Sequence, residues 1–210
     1  MSEYLEEIRE DFQSDDTLRE HAPKLALLIG ILFWLVVPQG IAVVLSQDAL
    51  TANFPLLGTV GSVLLNLCML AYAAALLKLK FASPLYQKAG LCSLAAFAIN
   101  LVMVFLQASL LTTVLVLAVV AITLGLSYFE LHGHAEILRD LDPVRSEKFR
   151  ELWKMNITAH GAACGGMVLM MFVPFFGAIV LLTGLSGVVF VAIKKLIYLN
   201  RLWKLLRNYE

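Results

Sequence analysis

The sequence predicts an all-α, polytopic integral membrane protein: six transmembrane helices arranged as three hairpins, with N and C termini cytoplasmic. Three observations lead there. Of 210 residues, 60% are apolar and 15% charged, where soluble domains average about 45–50% and about 25%; the mean hydropathy is +0.82. The apolar residues gather into stretches long enough to cross a hydrocarbon core of about 30 Å, which takes about 20 helical residues. Every Lys and Arg, 16 in all, falls on one side of a six-span threading. Disordered, collagen-like and disulfide-knot classes are excluded by the apolar excess and by only 13 Gly, 6 Pro and 3 Cys.

Residues 1–23 read as an acidic cytoplasmic segment. Leu5, Ile8 and Phe12 repeat at helical spacing, and Ser14 or Asp15 is suited to cap a further turn from Thr17. This acidic start is unlike the basic region of a cleaved signal peptide, so the first span is expected to act as an uncleaved signal anchor.

The transmembrane domain, 24–193, is expected to hold spans at about 24–46, 55–77, 89–108, 112–130, 157–173 and 177–193. The apolar stretch Ala89 to Phe129 has to be two helices, because one helix of that length would reach about twice the core thickness at 1.5 Å per residue. Gln107, Ser109, Thr112 and Thr113 mark its turn. Pro174 lacks a backbone donor and disfavours helix at Val173, so a turn is expected at Pro174, Phe175 and Phe176, before the permissive Gly177. Between the fourth and fifth spans, 131–156 reads as an interfacial elbow. It holds a short helix, a break at Asp142 and Pro143, and an amphipathic helix carrying Val144, Phe149, Leu152 and Trp153. Asp142 suits the cap and Pro143 the first helical position.

Residues 194–210 read as a basic amphipathic tail helix, with five bases, one acid, and Leu196, Leu199, Trp203 and Leu206 at 3-4-3 spacing. Three readings stay open for it: contact with anionic lipid headgroups, docking on the acidic N-terminal helix, or a seam for self-association.

The basic residues supply the parity. Arg9, Arg19 and Lys24 precede the first span, and Lys78, Lys80 and Lys88 lie between the second and third. Five more lie between the fourth and fifth, and five follow the sixth. The opposite loops, 47–54, 109–111 and 174–176, hold none and carry one charge, Asp48. The positive-inside rule therefore places both termini in the cytoplasm of an inner or plasma membrane. A five-span threading would leave the five C-terminal bases outside.

Polar groups within spans point to function because they are costly there. Gln39, Asn66 and Asn100 are the candidates for a polar path, or else for interhelical hydrogen bonds. Pro38 and Gly40, flanking Gln39, are placed to kink the first span or to break it and free carbonyls. Glu130, His132, His134 and His160 are the candidate cytoplasmic gate; Glu136 lies one turn beyond His132. Gly133 is a possible end for the fourth helix. His132, His134, His160 and Cys164 are competent metal ligands but match no metal-site spacing, so neither a metal nor any other cofactor is expected. Cys68, Cys92 and Cys164 read as packing residues. Gly161 with Gly165, Ala162 with Gly166, and Gly58 with Ser62 mark closely packed helix faces.

No GxSxG, HExxH, CxxC, Walker A or GxGxxG occurs, so the expectation is a non-enzyme, with no nucleic-acid partner at zero net charge. The leading functional expectation is an oligomeric channel or transport-type subunit whose cytoplasmic helices gate it or meet a partner. The alternative is a membrane-embedded adaptor that presents those helices to a cytoplasmic protein, and behind it an interfacial lipid-modifying enzyme using the His/Glu cluster. Expected partners are the bilayer, anionic headgroups at 194–210 and a second copy of the chain.

Overall fold

Four of the six prolines open helices, at the first position where a missing N–H costs nothing. The computed structural model describes residues 2–45, 54–103, 105–106, 110–139 and 141–208, and their side chains except at 2–20, 55, 110, 112 and 113. Among the described residues there are six α-helices and no strand. They are α1 (Ser2–Leu45), α2 (Pro55–Lys78), α3 (Pro84–Met103), α4 (Leu110–Leu138), α5 (Pro143–Met170) and α6 (Pro174–Arg207), with a 3₁₀ turn at Leu79–Phe81 after α2.

Several boundaries differ from the sequence expectation, each for a local reason. α6 starts at Pro174, so the turn lies just before it, at Met171 to Val173. α4 does not end at Gly133 but runs to Leu138. A Cβ built on Gly133 would lie 3.1 Å from Cζ of Tyr86, so this glycine admits a ring and does not stop the helix. The segment 131–156 consists of the ends of two long helices joined by a short link before Pro143. Asp142 caps α5 by accepting from Arg145 N at 2.9 Å. Removing this cap, Asp142→Ala, is expected to lower stability by about 1 kcal/mol, read as a lowered unfolding midpoint of the protein in detergent.

α1 continues through Pro23 and Pro38 to Leu45, so Pro38 and Gly40 do not break it. The tail up to Arg207 is continuous with α6. The expected features at Asp48, Gln107 and Ser109 and the last two residues of the tail lie outside the described residues, as do the side chains of Leu5, Ile8, Phe12, Ser14, Asp15, Thr17, Thr112 and Thr113.

Five helices are long and apolar enough to cross a membrane, over His21–Leu45, Leu56–Phe81, Pro84–Met103, Val114–Leu138 and Pro174–Arg207. Their outward faces carry large exposed apolar side chains, among them Leu56 (77% exposed), Leu117 (65%) and Leu182 (63%). Water would not tolerate so broad an apolar coat, whereas lipid would. The helices are those of a membrane-embedded protein.

The helices pack in chain order, each on the next, and α6 returns to α1, closing a six-membered ring. Large buried side chains concentrate at the end of the ring that bears the basic loops. There Leu25, Ile29 and Leu32 of α1 meet Leu76 and Leu79, Tyr86, Leu131 and Leu138, Phe149 and Leu152, and Leu199, Leu202 and Leu206. The tail thus docks on its own chain: Trp203 stacks on Phe33 at 6.1 Å and lies over Gly30.

Toward the opposite end, contact is made through small residues. α5 and α6 have the most extensive interface of the ring. Gly166 lies against Leu181, Gly177 against Met170, and Gly184 against Ala163, with backbone approaching backbone. The face of α5 that packs is therefore Ala159, Ala163 and Gly166. Gly161 and Gly165, the GxxxG pair, have nothing within 4 Å and point outward.

Candidate functional site

A carboxylate inside a span has to find a cation and enough donors, since lipid supplies neither. Glu130 on α4 does so across the ring. One oxygen, Oε2, accepts from Lys195 Nζ of α6 at 2.7 Å. The other, Oε1, accepts from the hydroxyl of Tyr72 on α2. Lys195 also donates to Tyr72 Oη at 3.1 Å, so the three groups form a closed triangle. α2, α4 and α6 are alternate members of the ring, not neighbours, and this triangle ties them through its interior. At 1.5 Å per residue, the three residues lie about 25–32 Å along their helices from the end opposite the basic loops. A hydrocarbon layer of about 30 Å measured from that end would reach its other edge near this level.

Beside Glu130 sits His134, one turn along α4 and fully buried. Its Nε2 is 3.4 Å from Glu130 Oε1, and its Nδ1 shares a 2.7 Å hydrogen bond with the hydroxyl of Tyr86 on α3. The imidazole lies between the rings of Tyr86 and Phe149, at 5.5 and 5.2 Å. α3 is secured further by Ser83, whose hydroxyl donates to Glu136. Polar side chains from α2, α3, α4 and α6 therefore form one connected knot, backed by the aromatic core.

Directly against the knot is an interhelical cavity of about 330 Å³. Glu130, Lys195 and Tyr72 form its polar end, while Gln39 on α1, Ser93 on α3, and Thr123 and Ser127 on α4 add polar groups elsewhere. The rest of the lining is apolar, chiefly Leu32, Val36, Met69, Leu126, Leu196 and Leu199. Such a volume falls at the small end of ligand pockets, about 300–1,000 Å³.

The candidates drawn from the sequence are dispersed. Gln39 lines the cavity. Asn66 donates to Ser62 O of its own helix at 2.9 Å. Asn100 faces Met69 Sδ at 3.8 Å, linking α3 to α2. Glu130 and His134 are together in the knot. His132 turns away, its Nδ1 2.9 Å from Tyr128 O and its ring against that of Tyr128 at 4.1 Å. His160 Nδ1 is 2.9 Å from Asn156 O, and Cys164 is exposed. Among the described residues no three His, Cys, Asp or Glu side chains converge as a metal set.

Tyr72, Tyr86 and Lys195 escaped the sequence reading. One signal was present: a Glu within an apolar span needs a cation at its own depth, and Lys195 closes the last span. Tyr72 and Tyr86 gave none, since tyrosines near span ends are common interfacial residues. No protein-family model, curated protein or solved structure matches this chain.

Proposed function

We propose that this chain is a six-span membrane protein of transport or channel type, in which the helix ring encloses a solute-binding cavity and the Tyr72–Glu130–Lys195 knot closes it toward the basic end. One observation carries the reading: an ion pair bridging non-neighbouring helices at the end of an interhelical cavity. A pair needed only to clasp two helices would serve as well between neighbours. Ionisable groups at such a position mark solute and ion pathways.

The six-span count is supported by the pairing of α5 with α6. Residues 159–170 lie beside 177–187 in antiparallel register, so a crossing by α6 implies a return by α5. The lower apolarity of α5 reflects the Gly and Ala of its packed face and the polar first half that meets the basic end. An even count keeps all 16 Lys and Arg on one side, which the positive-inside rule makes the cytoplasm. Arg201, Lys204 and Arg207, exposed on the tail, suit anionic headgroups there.

Cysteine accessibility tests the cavity. With Cys68, Cys92 and Cys164 replaced by serine, Gln39→Cys and Ala96→Cys are expected to react with a membrane-impermeant thiol reagent added outside intact cells. Leu117→Cys, facing lipid, and Leu138→Cys, buried at the basic end, are expected to stay unreactive. If the two cavity cysteines are as inert as these controls, the interior does not open to water and the transport reading fails.

A further inference from the structure

The cavity has two charged side chains, and they are not equally available. Glu130 is 1% exposed and its oxygens are occupied by Tyr72 and Lys195, with His134 beside them. A cation arriving from the cavity finds no free carboxylate. Lys195 is different: its side chain is 27% exposed, and it uses two of its three N–H groups, at 2.7 and 3.1 Å. The remaining donor is the charged contact the cavity offers. Beyond it the walls are apolar, with neutral Ser93, Ser127 and Gln39 as minor polar relief.

Charge balance adds a second constraint. Lys195 and Glu130 neutralise each other, so an anion set on Lys195 leaves the buried assembly with an extra negative charge, which is expensive away from water. The structure holds a group able to offset it. His134 is fully buried, and its Nε2 makes no hydrogen bond while lying 3.4 Å from Glu130 Oε1. With the buried Tyr86 hydroxyl donating to Nδ1, the neutral ring carries its proton on Nε2, the nitrogen facing Glu130; one further proton makes it an imidazolium, whose charge beside Glu130 offsets the added anion. The groups around this imidazole are Glu130 on its own helix, Tyr86 from α3, the non-titrating Phe149 from α5, and Lys195 from α6 beyond Glu130. Tyr72 of α2 donates to the same carboxylate oxygen, Oε1, that His134 Nε2 faces.

We propose that the cavity binds a single-chain amphiphile with an acidic headgroup, its carboxylate or phosphate on the Lys195 ammonium and its chain along the apolar wall, together with one proton taken up by the His134 imidazole. The proposal rests on the cavity reading above and adds the ligand class to it. The volume of about 330 Å³ suits one short chain and not a two-chain lipid.

The test uses the full chain purified in dodecyl maltoside, with thermal unfolding followed as ligand is added. Octyl sulfate, whose headgroup stays a monoanion near neutral pH, is expected to raise the midpoint by about 5–10 °C at a hundredfold excess over its Kd. Octanol, with the same chain and no charge, is expected to give less than a fifth of that. Octanoate and octyl phosphate compared at one concentration separate a fatty-acid-like from a lysophospholipid-like ligand.

Lys195→Met alone risks misfolding, so the decisive variant is Glu130→Gln with Lys195→Met, which removes both charges at conserved volume. It is expected to fold and to lose the octyl sulfate shift. In the wild type, affinity is expected to rise up to tenfold from pH 8 to pH 6, and in His134→Gln to be flat. Equal shifts from octanol and octyl sulfate, retention by the double variant, or a pH dependence unchanged in His134→Gln would each overturn the proposal. Reactive Gln39→Cys and Ala96→Cys with no octyl sulfate effect would discard the ligand class and leave the cavity reading standing.

Discussion

Lys195→Met is expected to destabilise the protein by about 3–5 kcal/mol, the largest effect of any single side-chain truncation in the bundle. The substitution keeps most of the side chain's volume and removes its charge, leaving Glu130 buried with Tyr72 as its one remaining strong donor. The reverse change, Glu130→Gln, is expected to cost less. Lys195 is 27% exposed and lines the cavity, so water can take over part of what the carboxylate supplied, and Tyr72 Oη still accepts from it at 3.1 Å. The double variant leaves no unpaired charge and is expected to return to within about 1 kcal/mol of wild type, because neutral replacements of a buried pair are commonly tolerated. Unfolding midpoints of the four proteins in one detergent give the coupling energy between the two sites. A Lys195→Met protein as stable as wild type would mean that the pair is solvated and that the ring is not sealed at this level.

That network also marks how far one sequence can be read. The helical class, the membrane habit and the turns between helices are written in local signals: apolar run length, the prolines that begin α2, α3, α5 and α6, and Asp142 as a cap. Each acts within a few residues of itself. Glu130 and His134 were visible as candidates because polar groups stand out against an apolar background. Their partners were not, since Tyr72, Tyr86 and Lys195 come from three other helices and meet Glu130 or His134 only because the ring closes in chain order. Periodicity fixes which residues share a face of one helix, but not the rotation of six helices about a common axis. His132 and His134, two positions apart, project to nearly opposite sides of a continuing helix, but which of the two faces the interior follows from the rotation of α4.

Glycine gives the clearest case of a pattern whose meaning depends on rotation, and the second large effect. Gly161→Ala and Gly165→Ala are expected to be neutral or to stabilise by about 0.5–1 kcal/mol, because alanine in a helix interior loses less backbone freedom than glycine and here meets empty space. Gly166→Ala and Gly184→Ala are expected to act in the opposite direction. The added methyl carbon would lie 2.4 Å from Leu181 N in the first and 2.3 Å from Ala163 N in the second. Both obstacles are backbone, so no rotamer change relieves them, and α5 has to move away from α6 along the whole hairpin. Overpacking of this kind costs about 1–3 kcal/mol or more, and the loss of close helix contact in lipid adds to it, since apolar burial gives no compensating drive there. For a protein of this size, each kcal/mol corresponds to about 2–4 °C, so a fall of roughly 5–10 °C is expected at Gly166 or Gly184, against no fall at Gly161 or Gly165. The four alanine variants, melted in parallel, make a sign test that general intolerance of glycine substitution cannot imitate. Equal destabilisation at all four would mean that the GxxxG face is itself a packed interface, and that α5 sits rotated from the position that aligns it with α6.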